Sequence, residues 1–234
     1  MAILGWIMFD PMYFVYVGPA ILLALWAQAR VRSAYSEGSR HTARSGLSGA
    51  QTAQAILDQH GIADVRVEPV RSFLGDHYDP RSKVLRLSPD VYNGRSLAAL
   101  GIAAHESGHA IQHAVGYAPL AIRGAIVPVA SIGSNLAYFL IIIGLLLQFK
   151  QMAVLGLLFF GAVVLFQFVN LPVEFNASRR ARAVLLNNGM VTTAEDRVVG
   201  KVLNAAALTY VAATVTALLQ LLYFASIVFG GRRN

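Results

Sequence analysis

MAVLGLLFFGAVVLFQFVNL, residues 152–171, is an unbroken run of twenty residues without a charged side chain. Wound as an α-helix at about 1.5 Å per residue it is about 30 Å long, the thickness of a bilayer's hydrocarbon core. Three further stretches, 11–28, 124–149 and 205–229, are equally long or nearly so and also carry no charge. Asp10 and Pro11 are placed to begin the first, the aspartate as N-cap and the proline at the first helical position. The chain as a whole is 56% hydrophobic and 13% charged over 234 residues, outside the range of ordinary soluble domains. The expected class is therefore a membrane protein with four spans. Ala27-Gln28-Ala29 has the small residues of a cleavage site. No basic residue precedes that apolar run, however, and Arg30 and Arg32 follow it, so the reading is an uncleaved anchor.

Four crossings put residues 30–123 and 172–204 on one side of the membrane. Sixteen of the 19 Lys and Arg residues lie in those two segments, the others being Lys150, Arg232 and Arg233. Positive charge marks the cytoplasmic side, so both segments are expected there. The net charge of +7 is spread through loops beside apolar spans and is not gathered on one amphipathic element, which argues against a nucleic-acid partner.

Outside the spans, residues 30–46 are polar and read as a juxtamembrane linker facing anionic headgroups. Ser48 followed by Gln51 is a capping-box pattern, opening a helix that Gly61 can end near His60. Residues 64–70 and 83–87 alternate apolar and polar, with a turn-rich stretch between them, and predict a small sheet or hairpin. Ser88-Pro89 and Asn93-Gly94 are breaks, after which 95–114 is rich in Ala, Leu and Ile and predicts a helix. There is no repeat of 20 to 50 residues, and 1–234 reads as a single membrane-embedded unit.

Within that helix stands His105-Glu106-Ser107-Gly108-His109, the pattern H-E-x-x-H. Residues four apart share a helix face, so both imidazoles can turn to one zinc ion, while Glu106 reaches a water in the open coordination position. The chain has no cysteine, so a metal must be held by His, Asp or Glu. A catalytic zinc takes three protein ligands, and two candidates for the third remain. His113 lies about 12 Å along a straight helix from His105 and serves only if the helix breaks near Gly108. Glu174 follows the third span on the same expected side, although a carboxylate there can instead pair with Arg179 or Arg182.

Three segments resemble the signature segments of the bacterial YugP-type neutral zinc metallopeptidases. They are Asp76-His77-Tyr78-Asp79-Pro80, the run from His105 through His113, and Leu171-Pro172-Val173-Glu174-Phe175-Asn176-Ala177-Ser178-Arg179-Arg180-Ala181. The likeness covers nearly the whole chain. It implies an integral membrane gluzincin, distantly similar to HtpX and the CAAX prenyl protease, in which a glutamate on a later helix completes the zinc site. Glu174 matches that position. Those relatives carry Glu-x-x-Ala-Asp, whereas Ser178 stands here in place of the aspartate. In the gluzincin arrangement a peptide pairs with an edge strand beside the metal, and His77 or Tyr78 is positioned to stabilise the oxyanion. The alternative for His77 is a turn residue paired with Asp76 or Asp79.

The resulting expectation is a mainly α membrane protein with four transmembrane helices and a small α+β zinc-peptidase subdomain on the cytoplasmic side of a bacterial cell membrane. It is expected to hold one Zn2+ per chain on His105, His109 and Glu174, with Glu106 as general base. Partners on this reading are the lipid bilayer and a protein or peptide substrate, membrane proteins among the candidates; an oligomer or a regulatory partner is compatible with it. A zinc-binding scaffold without proteolysis would use the same histidines but has no need of Glu106. A transporter would need ionisable groups deep in the spans, where this chain has only Ser131, Ser134, Asn135 and Gln167.

Overall fold

The structure, a computed structural model, describes residues 11–72 and 75–230. Its elements in chain order are α1 (Pro11–Arg40), α2 (Gly49–Gln59), β1 (Arg66–Pro69), β2 (His77–Asp79), β3 (Val84–Leu87), α3 (Pro89–Tyr92), α4 (Leu97–Ala114), α5 (Ala118–Leu146), α6 (Lys150–Asn187) and α7 (Thr193–Phe229). Helices α1, α5, α6 and α7 are each long and apolar enough to cross a membrane. The protein is thus a mainly α membrane protein with four transmembrane helices and a small α+β part. The expected N-cap, Asp10, lies outside the described residues.

The described residues divide into two compact units, one within 11–27, 122–171 and 209–230, the other within 28–121 and 172–208. The first holds the apolar halves of the four long helices. Their outward side chains include Phe14, Leu22, Trp26, Phe139, Leu158 and Phe168, all exposed. That much apolar surface is stable only against lipid. Inside this unit, Tyr138, Phe160 and Phe224 pack edge to face and Tyr223 meets Phe224 at a tilt, with ring centroids 5.3 to 6.2 Å apart. The Tyr138 hydroxyl donates to Gln220 Oε1 at 2.8 Å, which removes an unpaired polar group from an apolar setting.

The second unit is built round α4. Fourteen of its eighteen residues are buried, which explains a sequence apolar on nearly every face rather than along one stripe. Ser96 caps its first turn, accepting from the Ala99 N–H at 3.2 Å. Leu100, Ala103, Ala104 and Ile111 pack with Ile56 and Leu57 of α2, Leu85 and Leu87 of β3, Leu185 of α6 and Leu203 of α7 in one core. Each fully buried leucine or isoleucine there contributes about 1.5–3 kcal/mol. The expected capping box at Ser48 and Gln51 is present, with both reciprocal bonds made, and His60 is the C-cap of that helix.

Three local readings change. Residues 30–40 are not an open linker: α1 stays helical to Arg40, because Val31, Ala34 and Tyr35 pack with Ala98, Val202 and Ala205. The third and fourth apolar runs are likewise parts of longer helices, α6 continuing past Pro172 to Asn187 and α7 beginning at Thr193. Thr192 and Glu195 start α7 with a reciprocal cap, and Glu195 also accepts from the Arg44 backbone at 2.7 Å. Finally, the turn-rich stretch contains a strand. The sheet order is β1-β3-β2, with β1 parallel and β2 antiparallel to β3, and Tyr78 stands opposite Leu85.

Candidate metal centre

Helix α4 runs unbroken through the H-E-x-x-H segment, so His105 and His109 lie one turn apart on one face. Helix α6 crosses that face with its backbone against the backbone of α4. A Cβ placed on Gly108 would lie 2.7 Å from the Ala177 carbonyl oxygen and 3.3 Å from its Cα, so only glycine permits this approach. The approach brings Glu174 to the histidines. Glu174 Oε2 lies 3.2 Å from His105 Nε2 and 3.6 Å from His109 Nε2.

Glu174 and His109 are buried, and Glu106 is at the edge of burial. Burial alone would lower the affinity of His109 for a proton, but the hydrogen bond it donates to Glu174, with the charges of Glu106 and Glu174, outweighs it and raises its pKa. Each histidine also has a partner for its other nitrogen. Ser178 Oγ is 3.1 Å from His105 Nδ1, and Gln112 Oε1 is 3.0 Å from His109 Nδ1. Glu106 Oε2 accepts a hydrogen bond from the backbone N–H of Tyr78 at 3.0 Å, which ties the helix to strand β2.

His113 is not among the grouped ligand atoms. Its Nδ1 lies 2.8 Å from the Tyr78 hydroxyl, two helical turns from Glu106. Burial, with the charges of Asp64 and Asp79, pushes that hydroxyl's pKa up to about 12, so it is protonated at neutral pH. The ring of His77 lies 2.7 Å from the Gly75 carbonyl through Nδ1 and 3.4 Å from Arg86 Nη1 through Nε2. Its hydrogen-bond partners are thus neither Asp76, which accepts from Ser88, nor Asp79, which accepts from Arg81 and Ser82. Arg182, the alternative partner for Glu174, is held by Asp196 through a 2.9 Å bond. Gln112, Asn176 and Arg180 form a network that the sequence reading did not find. Its one advance signal was the position of Gln112 three residues after His109, where a side chain can reach back along the same face.

The donor set fits zinc. Tetrahedral Zn–N and Zn–O bonds of about 2.05 Å separate ligand atoms by about 3.3 Å, and the three atoms here already lie within 4.8 Å of one another. Two nitrogens and one carboxylate oxygen are a catalytic rather than a closed structural set.

A family model described as "putative neutral zinc metallopeptidase" matches residues 13–229. The chain belongs to that family. It is also 47% identical over 222 residues to a Bacillus subtilis (strain 168) protein named "Putative membrane protease YugP", an alignment covering 94% of this chain and 99% of the relative. No solved structure matches. Membership implies zinc, and among the described residues His105, His109 and Glu174 are the one group of three His, Asp or Glu side chains converging closely enough to hold it.

Because the Gly108 contact is with main chain, it cannot yield by rotating a side chain. Gly108→Ala should push α6 off α4, separate Glu174 from the histidines and lower the zinc content of the purified protein severalfold. Gly161→Ala, where a Cβ meets nothing within 4 Å, is the control expected to keep its metal. Full zinc content in Gly108→Ala, measured by metal analysis, would contradict this account of the site.

Proposed function

We propose that the protein is a membrane-bound zinc endopeptidase in which His105, His109 and Glu174 hold one zinc ion per chain and Glu106 is the general base. The observation that carries this reading is the convergence of both histidine Nε2 atoms on Glu174 Oε2, with Glu106 one residue along the same helix. Bound zinc supplies a Lewis acid that polarises the scissile carbonyl and acidifies a water. The chain's own residues do the rest. Glu106, with Oε2 engaged by the Tyr78 N–H, has Oε1 available to take the water's proton and then deliver it to the departing amine nitrogen.

Strand β2 is an edge strand, so a substrate backbone can pair beside it and be oriented toward the metal. Tyr78 and His77 are the proposed donors to the developing oxyanion. Tyr78 is tied to the site through its main chain, which is bound to Glu106, and its protonated hydroxyl would leave His113 to reach the oxyanion. Both units are read as serving one membrane-embedded peptidase. Its site faces the cytoplasm, a reading supported by the sixteen Lys and Arg residues in 30–123 and 172–204. Protein or peptide substrates, membrane proteins among them, follow from that location.

His105→Ala and His109→Ala should each abolish zinc binding, whereas Glu106→Gln should retain the metal and lose activity by several orders of magnitude. Metal analysis beside a peptidase assay decides this, and normal turnover by Glu106→Gln would make the site structural. Among the donors, Tyr78→Phe or His77→Ala should reduce kcat roughly a hundredfold with KM little changed. An unchanged kcat in both returns these residues to a structural role. For orientation, cysteines placed at Arg40 and Asn188 should be shielded from an impermeant thiol reagent in intact cells, and one at Gln148 should be labelled. The reverse pattern would invert the proposed topology.

A further inference from the structure

One nitrogen of His109 must face the metal with a free lone pair, and the other must carry the proton. In this structure the choice can be traced to Arg180, which two other residues separate from the imidazole. The Nε of Arg180 can only donate, and it lies 2.8 Å from Asn176 Oδ1, which is thereby an acceptor. The same Oδ1 is 3.0 Å from Gln112 Nε2, and that nitrogen is also 2.8 Å from the Val173 carbonyl oxygen. Both hydrogens of the Gln112 amide are therefore used against acceptors. Its orientation is fixed, and the side chain is fully buried, so no solvent competes for it. Oε1 is then the atom that faces His109 Nδ1 at 3.0 Å, and being an acceptor it requires the proton there. With the proton kept on Nδ1, Nε2, the nitrogen that points at Glu174, is the one that can offer its lone pair to a metal.

We propose that Arg180, Asn176 and Gln112 are positioning residues that set the tautomer of His109 for metal binding. Hydrogen-bond polarity is relayed from a guanidinium, with no carboxylate in the line. His105 differs, because the Ser178 hydroxyl beside it can either donate or accept and does not dictate which nitrogen is protonated. The proposal rests on the metal-centre reading above. Outer partners of a metal histidine typically contribute 10–100-fold in affinity.

The test is zinc affinity of the detergent-solubilised full-length protein, measured by competition with a chelator, beside thermal unfolding of the metal-free form. Asn176→Leu removes the acceptor that holds the Gln112 amide, and Gln112→Met removes the acceptor for His109. Each should weaken zinc binding about 10–100-fold. Asn176→Asp keeps an acceptor for both Arg180 and Gln112 and should bind zinc within about threefold of wild type, since one preserved hydrogen bond leaves the tautomer set. A purely structural role would lower the unfolding temperature of the metal-free protein without separating Asp from Leu at position 176. If wild type binds zinc and Asn176→Leu binds it as tightly, or if Asn176→Asp is as weak as Asn176→Leu, the relay is overturned while the metal centre stands. If Gln112→Met does not fold, the pair of substitutions at 176 still decides. Wild-type protein without zinc affinity would instead overturn the metal centre and the relay with it.

Discussion

The main-chain approach of α4 and α6 at Gly108 and Ala177 is the constraint on which the rest of the site depends. Two candidate ligands sit on α4 and the third on α6, so the spacing of the ligand atoms is the spacing of the helices. Because the contact is made by backbone atoms, it has no rotamer freedom with which to absorb a change in that spacing. The outer partners repeat the pattern. Ser178 reaches from α6 to His105, and Gln112 reaches from α4 to Val173 and Asn176. A single helix pair thus carries the ligands and the groups that orient them.

The sheet adds what two helices cannot supply. Glu106 is engaged from strand β2, and a carboxylate at the edge of burial needs a hydrogen-bond donor. Tyr78 provides one from its main chain, while its hydroxyl grips His113 two turns further along α4. The strand is thereby fastened across the helix at both ends of the site. A strand of three residues has little stability of its own; here its pairing with β3 and the Tyr78 bond to Glu106 hold it.

The four long helices combine two environments in single elements. Their apolar runs expose large side chains that only lipid can cover, while the polar continuations of α1, α6 and α7 bury alanine, leucine and valine in protein. Backbone hydrogen bonding inside a helix is indifferent to that change, so nothing forces the helix to stop where the hydrophobic run stops.

That distinction separates what was legible in the sequence from what was not. The four apolar runs, the Ser48 capping box and the one-turn spacing of His105 and His109 follow from rules acting within a few residues, and the sequence determined them. Hydropathy reports where lipid is, not where a helix ends, so the continuations to Arg40 and Asn187 became visible only through their packing partners. Strand β2 was hidden because its support comes from Leu85 and Glu106 rather than from its own residues. The sequence favoured Glu174 over His113 as the third ligand without showing the contact, and the tertiary structure grouped Glu174 with the two histidines while turning His113 toward Tyr78. The line from Arg180 to His109 was decided at the same level, because it joins side chains some sixty residues apart that meet only once α6 lies on the glycine face of α4.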